Sequence, residues 1–163
     1  VINQNYAIII DIDETVLDNS NYQVTLNDTG DSFSQDSWSK WVQKEEALLV
    51  PGAKDFLTKV RNDGIRLIYI SNRMHSNLQP TINNFKNLGI YSEDDIYLLR
   101  KDKGDKKPIR RGEVFNGAER MSDYPIFNVI AFLGDAYGDF PKDSKYEWGK
   151  HNFIFPNPMY GKW

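Results

Sequence analysis

Cysteine is absent from the 163-residue chain, which removes disulfides, thiolate metal sites and cysteine nucleophiles together. Long apolar runs are absent too; nothing approaches the roughly eighteen uninterrupted apolar residues of a membrane-crossing helix. Neither charge sign dominates. Twenty Lys and Arg against 23 Asp and Glu give a net charge of −3, so the positive field expected of a nucleic-acid binder is missing. There is no internal repeat, low-complexity tract, N-terminal methionine, signal peptide or lipid-attachment cysteine. Val1 reads as the start of a processed or trimmed chain. What remains is 40% hydrophobic and 26% charged, the composition of one globular domain over 1–163.

Short apolar runs alternate with helical patterns, which predicts an α/β fold with a parallel sheet flanked by helices. "YAIIID" (6–11), "RLIYIS" (66–71), "DIYLL" (95–99), "NVIAFLGD" (128–135) and "NFIF" (152–155) read as strands. Three of these are apolar enough to be covered on both faces. Behind Pro51, Ala53, Phe56, Leu57 and Val60 recur at helical spacing until Gly64. Leu78, Ile82, Phe85 and Leu88 repeat the pattern up to Gly89. Further helices are expected over 35–48 and 108–120, the second opened by Pro108. Residues 19–34 are polar and read as irregular. They begin a small cap-like insertion, 19–50, expected above the strand ends.

In open parallel sheets, ligands bind at the carboxyl ends of the strands. The first predicted strand ends in Asp11, the second in Ser71-Asn72-Arg73, and the fourth in Gly134-Asp135 with Asp139 shortly after. Three strands thus deliver polar side chains to one edge. Side chains alternate along an extended segment, so Asp11 and Asp13 point one way and Ile12 the other. Close carboxylates repel unless one is protonated or a cation sits between them. An all-oxygen set suits a hard ion, and Mg²⁺ is favoured because it accepts few protein ligands and keeps water and phosphate in its shell. A calcium-binding loop starting at Asp11 fails, since Val16 stands where Gly is needed and Tyr22 where Glu is needed. Taken singly, the Asp-x-Asp pair is a common loop or cap and Ser71 a turn residue. The run from Arg100 to Arg111, seven basic and two acidic residues, reads alone as a solvated face. Their order and placement carry the inference.

The motifs "DIDETVLDNS", "YISNR", "KDKGDK", "GDAYGDF" and "NPMYGKW", in that order, resemble the haloacid dehalogenase superfamily. Within it they are similar to the class C bacterial acid phosphatases and 5′-nucleotidases that carry four aspartates. The resemblance runs from about residue 6 to the end. It implies a Rossmann-like three-layer sandwich with a central parallel sheet and a small insertion after the first strand. It makes Asp11 the nucleophile and Asp13 the general acid and base, with Ser71 and Lys106 holding the phosphoryl oxygens; Lys103 and Lys107 stand close enough in sequence to compete for the lysine's place. Mg²⁺ is assigned to Asp11, Asp135 and the main-chain carbonyl of Asp13, with Asp139 orienting water around the ion. Asn72 and Arg73 are assigned to substrate, as are the aromatic faces of Trp38 and Tyr160, whereas Trp41 is expected in the core. The implied reaction is magnesium-dependent hydrolysis of small phosphomonoesters, nucleoside monophosphates among them, through an aspartyl-phosphate. An acidic working pH follows, because Asp13 must start protonated.

The family usually carries a lipoprotein signal and a helical stretch ahead of the first motif, and a longer segment between "GDF" and "WGKHNF"; neither is read here. Export to the periplasm, cell surface or medium is implied by the resemblance. A homodimer is the expected assembly, with no nucleic-acid polymer and no membrane segment. The alternatives are phosphotransfer on the same fold, a non-catalytic member of it, and a phosphoacceptor module of the response-regulator kind. Asp13 separates the last from the enzymes, because a receiver has no acid two places after its acceptor.

Overall fold

Residues 5–161 are described by the structure, a computed structural model. Val1 and Trp163, the last residue of "NPMYGKW", lie outside them. Five parallel strands form the main sheet: β1 (Tyr6–Ile10), β4 (Arg66–Met74), β5 (Ile96–Arg100), β6 (Asn128–Gly134) and β7 (Asn152–Ile154), in the order β5-β4-β1-β6-β7. Helices α3 (Ala53–Asn62), α4 (Leu78–Asn87) and α5 (Lys107–Asn116) make the crossovers. A two-stranded antiparallel ribbon, β2 (Leu17–Asp18) with β3 (Leu48–Leu49), brackets helices α1 (Ser20–Thr29) and α2 (Gln35–Lys44).

Strand alternation explains the layers. Ile8 and Ile10 of β1 join Leu67, Tyr69 and Leu133 in a core closed by Leu57, Val60 and Phe85 of α3 and α4. Ala7 and Ile9 face the other way, with Ile68, Ile70 and Phe132, against Val114 of α5. A strand covered on both faces has to be apolar at every position, which is why the run from Ala7 to Ile10 shows no polar alternation. The cap shares the first core: Tyr22, Trp38, Trp41 and Val42 are buried with Ile12, Val16 and Leu17. The three-layer α/β architecture is the one expected, with element ends moved by a few residues. No helix among the described residues is long and apolar enough to cross a membrane.

One expectation is overturned. Residues 20–29, read as irregular, form helix α1, closed by Gly30 in the left-handed region at φ 70°. Its Thr and Asn content makes it a weak helix former, and Thr25 and Thr29 bond back to carbonyls four residues earlier. Packing decides instead. Tyr22 is buried edge-on to Trp38 with centroids 5.0 Å apart, and Leu26, four positions on, packs against the same core.

The chain runs outward from β1 to β4 and β5, then returns to β6 on the other side of β1. That reversal leaves a crevice above β1 and β6 at their carboxyl ends. Gln23, Phe33 and Trp38 of the inserted segment line it.

Candidate active site

The Asp11 N–H bonds the Leu133 carbonyl at 2.9 Å, prolonging the β1–β6 pairing by one residue past the strand. Ile12 then turns into the core, fully buried. The chain bends sharply at Glu14, whose φ of 58° is unusual for a residue with a side chain. Glu14 Oε1 accepts from the Asn19 N–H at 2.8 Å, whereas Oε2 is buried without a partner. Burial, with the neighbouring Asp13 adding to it, pushes the Glu14 carboxyl up to about 8 against the opposing bonds from Asn19. Asp13, just before this turn, lines the same cleft as Asp11.

Three buried acids meet at the crevice. Asp11, Asp135 and Asp139 each present a carboxylate oxygen, all within 4.8 Å of one another. Lys107 donates to Asp11 Oδ1 at 2.6 Å and also to Asp139 Oδ1. Asp139 Oδ2 accepts from the Asp135 and Ala136 amides at 3.1 and 3.0 Å. Gly134 is required beneath it, because a Cβ there would fall 2.3 Å from that oxygen. Burial raises the pKa of Asp11; Lys107 opposes the rise, and Asp139, Asp135 and Asp13 add to it. Burial raises Asp135 as well, although the Asn157 side chain opposes it. For Lys107, burial is outweighed by Asp11 and Asp139, so its pKa is also raised. One ammonium against three carboxylates leaves negative charge unmet, and the hard-oxygen set fits a divalent cation such as Mg²⁺.

Asp13 stands apart from this cluster. Its carboxylate takes Arg73 Nε at 3.0 Å, Arg73 Nη2 at 2.8 Å and Asn19 Nδ2 at 2.9 Å. Arg73, 1% exposed, spends Nη1 on Thr81 Oγ1 at 3.0 Å and lies 5.8 Å from the Trp38 ring centre. Most of its donors are therefore committed to Asp13 and Thr81, although Arg73 also lines the cleft. Ser71 is fully buried, and its Oγ accepts the Arg73 N–H at 3.1 Å. The register of β4 shifts between Ser71 and Met74, which frees this segment from the ladder. Asn72 is on the cleft wall, its Oδ1 bonded by Arg110 Nη2 at 2.8 Å.

Lys106 was expected to hold the phosphoryl oxygens, yet the lysine that reaches the acids is its neighbour Lys107. Lys106 is exposed at the N-cap of α5, on the cleft rim. Lys107, the first residue of the helix, reaches inward and has a side chain only 10% exposed. The preceding loop is held by Asp105, whose carboxylate takes the Lys101 amide at 2.9 Å and Arg120 at 3.0 Å. Fully buried Arg110 adds bonds to the carbonyls of Ser71, Leu98 and Asp105.

A cleft of about 1230 Å³ opens above these groups, lined on one side by Phe33 and Trp38 of the cap and elsewhere by Tyr137 and Tyr160. Trp38 is 8% exposed, and Tyr160 is 40% exposed. Trp41 is buried as expected, and its indole N–H reaches Asn19 Oδ1 at 2.9 Å. The sequence reading gave no role to Asn19, Arg110 or Asn157, and named Lys107 only as a rival of Lys106. Asn19 and Asn157 lie in the quoted motifs, and Arg110 in the basic run from Arg100 to Arg111.

The model of the HAD superfamily, subfamily IIIB (acid phosphatase), matches residues 2–163. The class C acid phosphatase of Bacillus anthracis is 34% identical; the match covers 98% of this chain and 69% of that one, at a TM-score of 0.79, or 0.80 with tungstate bound. A stem 31 kDa glycoprotein of Glycine max is 24% identical over 164 residues, 98% of this chain and 61% of that protein. Acid phosphatase 1 of Solanum lycopersicum is 24% identical over 153 residues, 93% of this chain and 57% of that protein. The chain therefore spans about three fifths of these plant relatives. It belongs to subfamily IIIB of the HAD superfamily, the acid phosphatase subfamily.

Proposed function

We propose that the protein hydrolyses phosphomonoesters in two steps through an aspartyl-phosphate on Asp11. One observation carries the reading. Asp11 lies in the acid cluster with Lys107 on its Oδ1, while Asp13 faces the same cleft in the separate grip of Arg73 and Asn19. Two carboxylates two residues apart are thereby given different surroundings, which suits different tasks. In the first step an Asp11 oxygen attacks phosphorus, the bond from phosphorus to the ester oxygen breaks, and Asp13 gives the departing alcohol its proton. In the second, water attacks the same phosphorus, Asp13 takes its proton, and the Asp11–phosphorus bond breaks.

Lys107 takes the phosphoryl-holding role that the resemblance had given Lys106, together with the Ser71 hydroxyl, whose proton is left to donate because its oxygen accepts from Arg73. Asp11, Asp135 and the Asp13 carbonyl are the proposed ligands of Mg²⁺, with Asp139 alongside; the ion supplies neutralisation of the charge that builds on the phosphoryl oxygens. The tungstate in the Bacillus anthracis relative, a tetrahedral oxyanion shaped like phosphate, supports an oxyanion site. Trp38 and Tyr160 favour an aromatic ester group, and stacking worth roughly 1–3 kcal/mol per base favours nucleoside monophosphates.

The test is phosphate release from nucleotides, sugar phosphates and an aryl phosphate, with and without Mg²⁺, beside Asp11→Asn. Multiple turnover with Mg²⁺ is expected, together with a loss of at least about 10³-fold in the variant. A protein that takes up one phosphoryl group and never releases it overturns the proposal in favour of a phosphoacceptor. Full turnover in chelator removes the metal and leaves the nucleophile standing.

A further inference from the structure

Asn157 is 1% exposed and makes contacts in two directions. Its Nδ2 donates to Asp135 Oδ2 at 2.7 Å. Its Oδ1 accepts the backbone N–H groups of Met159 and Tyr160, each at 3.1 Å. One planar carboxamide thus ties an acid of the cluster to the turn that carries the aromatic wall of the cleft. Among the described residues, little else holds the turn. Among residues 156–161 only Asn157 is buried, and Met159 and Tyr160 are 44% and 40% exposed. Pro158 offers no N–H, and the Gly161 amide bonds back to the Asn157 carbonyl at 3.0 Å, inside the same turn.

We infer that Asn157 is a positioning residue through which a divalent cation at the acid cluster and the ordering of the Tyr160 wall become one linked event. The inference rests on the metal-dependent reading above. The amide plane is fixed by its donor, so any change in the orientation of Asp135 turns the acceptor that caps Met159 and Tyr160. When Asp135 is drawn to a cation, Asn157 is held with it, and the two backbone bonds are strengthened. Linkage is reciprocal: a group that stacks on Tyr160 and orders the turn raises cation affinity by the factor that the cation raises its own. The cleft then has a wall for the ester group only when the cluster is ready for the phosphoryl group.

The experiment needs no turnover. Mg²⁺ binding is followed by calorimetry, and hydrogen–deuterium exchange is read at the Met159, Tyr160 and Gly161 amides with and without Mg²⁺. In the wild-type protein Mg²⁺ is expected to slow exchange at Met159 and Tyr160 by roughly 5- to 150-fold, the ordinary span of coupling between sites. Asn157→Ala is expected to abolish that response and to weaken Mg²⁺ binding by roughly 10- to 100-fold, as the loss of a partner of a ligating carboxylate does. The Gly161 amide, bonded to main chain, shows whether the turn survives. Mg²⁺ that binds the wild type yet leaves exchange at Met159 and Tyr160 unchanged overturns the coupling and spares the metal site. No binding at all overturns both. If Asn157→Ala does not fold, the wild-type pair of measurements still decides.

Discussion

At the start of α5 two lysines stand side by side, and one residue of helix turns a side chain through about 100°. Lys106 falls at the cap and points to solvent; Lys107 falls inside the first turn and reaches Asp11. Nothing in "DKKP" separates them, because the choice depends on where helical dihedrals begin. Lys107→Ala is expected to lower kcat/KM by about 10²- to 10³-fold, the effect of removing one charge-stabilising donor. Lys106→Ala is expected to stay within about threefold of wild type, as an exposed surface substitution does. Steady-state kinetics on one aryl phosphate checks both, and equal losses would return the role to the pair. Asp11, Asp13, Asp135 and Asp139 were legible because carboxylates at strand ends are costly without a purpose. Asn19 and Asn157 were not, since a carboxamide reveals its task only when its partners, distant along the chain, are brought to it.

At the level of elements, the strands were legible because coverage on both faces forbids polar residues, as in Ala7–Ile10. Helix α1 was not, since its only apolar anchors are one turn apart and the helix takes its stability from Trp38 in the next element. The β6 end shows how closely element and site are joined. Gly134 finishes the strand with Asp139 folded back over it, where a methyl group would meet Oδ2, Cβ and Cγ at 2.3–2.5 Å. Gly134→Ala must therefore displace Asp139 from the Asp135 and Ala136 amides. A stability loss of about 1–3 kcal/mol is expected from the overpacking, read as a lower denaturant midpoint, with Mg²⁺ affinity falling in parallel. A variant as stable as wild type would show that the turn at 137–139 yields freely.

Over the whole molecule, a net charge of −3 hides a strong local imbalance: three acids are buried around a single ammonium. Ligand that binds only the folded state stabilises it by mass action, about 2.7 kcal/mol at a hundredfold excess over Kd. Saturating Mg²⁺ is therefore expected to raise the thermal midpoint above that in chelator by about 5–10 °C for a chain of this length. Scanning calorimetry with the two samples side by side checks this. An unchanged midpoint would mean that the acids share protons instead of a cation.

The order of the parts along the chain has a consequence for synthesis. A ribosome delivers Asp11 first, then Arg73, Lys107 and Asp135, and Asn157 only after all of these. Because a domain generally folds as a unit, the nascent polypeptide carries Asp11 long before the last brace of the cleft exists. The cleft is thus complete only once translation has passed the turn at Asn157.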